Sequence, residues 1–320
     1  ARTGATTGAN YTIQDGDPKE LVFASYLIRY KIDRRFADPY FIGHVLRSPN
    51  WQEYVNAISG GSAQPGANAK QLGSFEITLP PLAEQRAIAS VLSSLDDKID
   101  LLHRQNATLE AMAETLFREW FVEEAKEEWE EGTLGDIIDF NPTYKLKQGD
   151  PAPYLEMSNV SSQTFNPDNW YDRSFTSGMK FMNGDTLLAR ITPCMENGKT
   201  CFVSFLNDNQ VGWGSTEYIV MRMKKPFHPF TSYLIAKNKD FRDFAISSMS
   251  GSSGRQRAQA ENLKNYEINI PPKGIIEILN SQLEVITEKL VCNATQIRTL
   301  TSLRDSLLPK LMNGEVIVQV

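Results

Sequence analysis

The sequence predicts an α+β protein. Mixed α/β globular domains are joined by two long helices that pair as an antiparallel coiled coil, within an approximate two-fold internal repeat. Three observations predict this. One stretch of sequence occurs twice, 191 positions apart. Each copy ends in two prolines and runs into an apolar seam held for several heptads. Short runs of alternating apolar residues, with the period of a strand, fill much of the rest.

The repeat comes first, because it sets the domain boundaries. "ISGGSAQPGANAKQLGSFEITLPP" (58–81) lies on "MSGSSGRQRAQAENLKNYEINIPP" (249–272) without a gap. Ser59, Gly60, Ser62, Ala67, Ala69, Leu72, Glu76, Ile77, Pro80 and Pro81 each meet an identical residue. Upstream, "SYLIRYKIDRRF" (25–36) matches "TEYIVMRMKKPF" (216–227), and the opening "ART" matches "ARI" (189–191). A period this long marks a domain duplication, since solenoid repeats run to 20–50 residues. The second copy carries residues 129–188 ahead of the point that matches residue 1. The expectation is that the first globular domain here lacks its front half. The segments are 1–81 and 129–272 for the globular parts, 82–128 and 273–314 for the helices, and a tail over 315–320.

After Pro81 the seam reads Ile88, Leu92, Leu95, Ile99, Leu102, Asn106, Leu109, Ala113, Leu116 and Trp120. After Pro272 it reads Leu279, Leu283, Ile286, Leu290, Asn293, Ile297, Leu300, Arg304, Leu307 and Leu311. Proline suits the start of such a helix, where its missing N–H is not needed. Gly314 suits the stop. One asparagine per seam fixes register at a cost in stability. Setting Asn106 against Asn293 antiparallel gives nearly every seam residue an apolar partner. The awkward layer is Leu95 against Arg304, where the arginine must reach outward. This pairing puts the two helix starts roughly 50 Å apart at ~1.5 Å rise per residue, a spacing suited to a split DNA site with two half-sites.

In the second globular segment, "PYLEMSNV", "DTLLARI", "KTCFVSF" and "TEYIVMRM" read as strands, and "FTSYLIAKNKDFRDFAISSM" as a helix. "FEITLPP" and "YEINIPP" read as the last strand of each domain. Two polar stretches read as loops, "ITPCMENGKT" (191–200) and "SGSSGRQRAQAEN" (250–262), the latter matched by "SGGSAQPGANAKQ" (59–71). Glycine and serine permit close approach of backbone to a ligand. Arg255 and Arg257 suit phosphate or guanine; Gln256 and Asn262 suit adenine. The same composition also fits a solvated surface loop. The candidate DNA contacts are Arg190, Thr192, Asn197, Lys199, Ser252, Ser253, Arg255, Gln256 and Arg257. In the first copy they are Arg2, Thr3, Ser62, Gln64, Asn68 and Lys70.

Charge and composition narrow the class. The net charge is −6, but it is uneven. Residues 1–81 and 132–272 each carry +1, and the remainder carries −8. The acid lies on the seams and in "EEAKEEWEE" (123–131), which reads as a solvated helix end and linker. The globular parts are free to carry local basic patches. The three cysteines form no CxxC pair and the three histidines lie far from them, which argues against zinc. Sparse cysteine suits the cytoplasm, and no apolar run reaches membrane-span length. No nucleophile–base constellation is present. "NPTY" (141–144) is similar to the Asn-Pro-Pro-Tyr signature of amino-methyltransferases, but no glycine-rich cofactor loop accompanies it, so it reads as a proline turn.

"LPPLAEQRAIASVLSSLDDKIDLL" (79–102) closely resembles the spacer-helix region of type I restriction–modification specificity subunits. "WEEGTLGDIIDF" (129–140) resembles the opening of a target recognition domain of that family, and "NGDTLLARI" (183–191) its middle. The resemblance covers essentially the whole chain. The second copy departs from it, with Gly274 and Ile275 where the first has Ala83 and Glu84. The resemblance implies two target recognition domains, each reading half of a bipartite double-stranded DNA sequence in defence against foreign DNA. It implies helices that dock two modification (methyltransferase) subunits, through which the restriction subunit joins. It implies no catalytic centre and no cofactor in this chain, with S-adenosylmethionine, ATP and Mg²⁺ held by the partners. Two rival readings remain: a DNA adenine methyltransferase acting through "NPTY", and a coiled-coil adaptor that does not touch DNA.

Overall fold

The computed structural model describes residues 1–4, 6–59, 66–123, 129–252 and 254–318. The chain is α+β and divides into two compact units. One is Ala1–Leu102 with Thr295–Val320, the other His103–Ala294. The division runs through both long helices, so each unit owns one half of each.

In the first unit, helix α1 spans Pro39–Val45, α2 Pro49–Ile58 and α3 Ala69–Gly73. Asp38, Ser48 and Asn68 cap them, each side chain accepting backbone N–H groups of the first turn. The unit also holds the start of α4 (Leu82–Arg118) and the end of α9 (Lys273–Met312). Phe41, Val45, Ile88, Leu92, Leu308 and Leu311 are buried together. Arg304 reaches Asp96 at 2.7 Å, and Arg47 reaches the same carboxylate at 2.8 Å. A salt cluster therefore takes the place of an apolar partner in that layer. Gly314, with φ +76°, ends α9 in the left-handed turn that favours glycine.

The matched stretch 25–36 is not a strand here, and neither is 75–81. A strand needs a ladder partner, and among the described residues this unit forms none. Tyr26, Leu27 and Tyr30 are exposed, while Phe75 and Ile77 still pack on the core.

The second unit holds ten strands among its described residues. They are β1 (Glu130–Thr133), β2 (Ile138–Phe140), β3 (Pro151–Leu155), β4 (Tyr171–Ser174), β5 (Met179–Phe181), β6 (Asp185–Ala189), β7 (Thr200–Phe202), β8 (Gly212–Gly214), β9 (Tyr218–Met223) and β10 (Glu267–Ile270). One sheet runs β2-β9-β6-β7, all antiparallel. Another runs β4-β3-β8-β5, with β3 and β8 parallel. β1 and β10 form a two-stranded ribbon. β6 and β9 are buried on both faces, which explains the apolar runs Leu187–Ala189 and Tyr218–Met221 within them. Leu188, Ile219 and Met221 join the core facing the long helices. Leu187, Tyr218 and Val220 join a second core with Leu155 and Phe181.

The helix expected over 230–249 is two helices, α6 (Thr231–Lys237) and α7 (Lys239–Ser247). Asn238 turns out of α6 at φ −61°, ψ 135° and caps α7 by accepting from the Phe241 N–H. A four-residue α5 (Leu134–Ile137) and α8 (Ala260–Leu263) complete the unit. The end of α4 also departs from the expected seam. Ala113, Phe117 and Phe121 are the buried residues there, and Trp120 is only partly covered. A π-helical turn over Glu119–Glu123 follows α4. It comes where the helix packs on the sheet domain, with Phe117 stacked on Phe121 and Phe121 against Phe227.

Candidate nucleic-acid interface

The two polar loops of the second unit, read separately in sequence, meet in space. Ile191 bridges Arg257 in antiparallel fashion, and so does Ser250. The Thr192 N–H and hydroxyl both donate to the Gln256 carbonyl, at 3.1 and 3.3 Å. The Arg190 N–H donates to Glu217 O at 2.9 Å, and Ala258 N–H to Arg190 O at 2.9 Å. Three segments are thus knotted at the mouth of β6 and β9.

The first unit repeats three of these links. Thr3 bridges Gly66, Arg2 N–H donates to Tyr26 O at 2.9 Å, and Ala67 N–H donates to Arg2 O at 2.8 Å. Under the alignment these are the same positions: Arg2 for Arg190, Thr3 for Ile191, Tyr26 for Glu217, Gly66 for Arg257. The duplication therefore extends to individual hydrogen bonds of the junction.

Backbone demands shape the loops. Gly251 sits at φ +132°, and a Cβ there would come within 2.9 Å of the Arg255 carbonyl oxygen. The 192–199 loop is closed by its own turns and anchored by the buried Met195. Arg242 of α7 donates to the Glu196 carbonyl at 2.9 Å.

The side chains then divide. Arg257 makes a bidentate pair with Glu217, at 2.8 to 3.0 Å, and this guanidinium holds the Glu217 carboxyl below the usual range. Arg190 donates from Nη2 to Gln259 at 3.1 Å, with its Nε 3.9 Å from Glu217. Lys199 turns inward and donates to the Met157 carbonyl at 2.8 Å. Asn68 is spent as the cap of α3, in a capping box with Gln71. Exposed side chains remain at Asn197, Ser252, Arg255, Gln256, Arg2, Thr3 and Lys70. No ion pair forms on Arg255 among the described residues. Ser62, Gln64 and Ser253 lie outside the described residues. Sequence reasoning missed Glu217, Gln259, Arg242 and Met195; the one available signal was an acid opening a strand that closes on two arginine-bearing loops.

"NPTY" has a structural account. Asn141 takes φ +54°; its N–H donates to Val220 O at 2.7 Å and its Oδ1 accepts from Val220 N–H at 2.9 Å. The Tyr144 hydroxyl donates to Asp185 at 3.0 Å, under the guanidinium of Arg222, which donates to Asp185 at 2.6 Å. Burial pushes the Asp185 carboxyl up in spite of that pairing. Among the described residues no group of three or more His, Cys, Asp or Glu gathers as a metal site. No helix there is long and apolar enough to cross a membrane.

Among proteins of known role, the chain is 27% identical to the type I restriction enzyme MjaIX specificity subunit of Methanocaldococcus jannaschii, over 87% of this chain and 69% of that one. It is 24% identical to the HindI specificity subunit of Haemophilus influenzae, over 96% and 83%. A solved type I restriction–modification S subunit from M. genitalium shares the fold, with a TM-score of 0.51 at 18% identity, covering 88% of this chain and 74% of that one. The model of the type I restriction modification DNA specificity domain matches residues 3–111 and 126–290. With both copies of the repeat inside the match, the chain belongs to the type I restriction modification DNA specificity family.

Proposed function

We propose that this chain is the DNA-reading subunit of a type I restriction–modification assembly. It recognises a bipartite duplex sequence through two junctions of the same design, one in each unit. Its long helices seat methyltransferase subunits, through which the restriction subunit joins. S-adenosylmethionine, ATP and Mg²⁺ act on those partners in the cytoplasm, and this chain supplies recognition rather than chemistry.

The single observation that carries the reading is the doubled junction. Two loop clusters with the same backbone links precede the same proline-led helix start. A split site needs two reading heads, which a homodimer supplies from two chains and this internal repeat supplies from one. Phosphate contacts from exposed arginine and lysine would position each head, and base-edge contacts from Gln256, Arg255 and Asn197 would supply sequence. Methylome mapping in cells carrying the intact system tests this. The expected result is a methylated motif with two short specified parts and a constant gap. A single uninterrupted motif, or no methylation dependent on this chain, would refute it.

A further inference from the structure

We infer that Glu217 is a positioning residue that sets DNA specificity, by holding Arg190 and Arg257 away from indiscriminate contact with phosphate. This rests on the reading of the junction as the DNA-facing surface. Without an acid, the junction would present Arg190, Arg255 and Arg257 together. Guanidinium groups grip any duplex through its phosphates, whatever the sequence. Glu217 ties Arg257 through both carboxylate oxygens and stands 3.9 Å from Arg190, whose far end is held by Gln259. Arg255 is then the exposed cation of the loop.

The first copy separates this role from folding. Tyr26 stands where Glu217 does and Gly66 where Arg257 does, yet all three backbone links form. The junction therefore does not require the carboxylate. The acid occurs in the copy that carries the second arginine. The pair is also partly open, with 37% of the Arg257 side chain and 24% of that of Glu217 exposed. A pair so exposed contributes little to stability, but it decides how many cations are free to meet phosphate.

The test uses the full chain assembled with its methyltransferase subunits. Two probes serve: a randomised duplex pool, and the duplex that the unaltered assembly enriches from that pool. The variants are Glu217→Gln and Glu217→Tyr, the second importing the residue of the first copy. Both should bind the random pool more tightly at low salt. The slope of log K against log salt should steepen by ~1 to 2, about 0.9 for each freed arginine that takes a phosphate. Preference for the enriched duplex over the pool should shrink by about tenfold, the scale of one lost base-pair discrimination. Unchanged slope and preference overturn the inference. So does equal weakening on both probes with an unchanged slope, the result a purely structural ion pair would give. Arg255→Ala separates the two levels. If it leaves both probes bound as before, the DNA-facing reading itself falls. If it weakens binding while the Glu217 variants leave the slope alone, only the role of Glu217 falls.

Discussion

Glu110, on α4, is a carboxyl group with 6% of its surface exposed, and the Tyr233 hydroxyl donates to it at 2.8 Å. Burial pushes its pKa up to about 7, against the opposing effect of the tyrosine hydrogen bond. The sign of the consequence follows from proton linkage. The folded carboxyl holds its proton more tightly than the unfolded one, so its contribution is fully present below about pH 4.5. It is lost as pH rises through 7, at a cost of up to about 3 kcal/mol at ~1.4 kcal/mol per unit. Thermal melts of the full chain between pH 5 and 8 check this. Glu110→Gln should flatten the pH dependence and raise stability at pH 8; a variant that melts with the parent's pH profile would show that Glu110 is not the source. The position reads as seam-adjacent in sequence, but its burial under Tyr233, 123 residues away, does not. The pairing of Glu217 with Arg257 was hidden for the same reason. Residue type shows which groups can form charged pairs, and only the fold shows which of them meet.

The long helices show what periodicity can and cannot convey. The 4-3 spacing marked the buried positions of α9 from Leu279 to Leu290, and it placed one asparagine in each seam. In the structure the Asn293 amide donates to Asn106 Oδ1 at 2.9 Å, with 0% and 3% of the two residues exposed. We propose that this pair sets register. A net hydrogen bond is worth about 1 kcal/mol, less than the ~1.5–3 kcal/mol of a buried leucine, so stability alone does not account for it. Asn293→Leu should cost about 1–3 kcal/mol by orphaning Asn106, and adding Asn106→Leu should recover most of that. Melting of the singles and the double measures it. A double variant less stable than the sum of the singles would leave the pair contributing stability and remove the reason to assign it register alone. Periodicity failed where the helix meets other elements. It passed over the π-helical turn at Glu119–Glu123, and it could not foresee Asp96 under Arg304 or the break at Asn238. Each depends on a contact outside the helix's own repeat.

At the scale of the whole molecule, the duplication predicts that the two halves of the target are separable. Arg255→Ala in the second junction should relax one specified part of the methylated motif and leave the other part and the gap unchanged. Methylome mapping of the variant reads this directly, and a change spread over both parts would contradict it. The repeat, the helix starts and half of the ten strands of the second unit were legible in the chain because they rest on local period and on identity between copies. The irregular course of residues 25–36 was not, because strand formation there depends on partners rather than on propensity.

The duplicated joint also carries a difference between the copies. In the first unit the buried carboxamide of Gln85, four residues after Pro81, accepts from Asp38 N–H at 2.9 Å and donates to Phe36 O and Pro80 O at 3.0 and 2.8 Å. In the second unit Asn280, eight residues after Pro272, accepts from His228 N–H at 2.8 Å and donates to Pro226 O at 2.7 Å. The same brace has moved one helical turn and lost one carbon. A recombination breakpoint at the Pro-Pro would sever either brace from the chain it holds. Crossovers placed beyond Gln85 or Asn280 keep loop and brace together. The piece that stays braced as one body therefore ends inside the helix, about one turn past the prolines in the first copy and about two in the second, not at the prolines that look like its border.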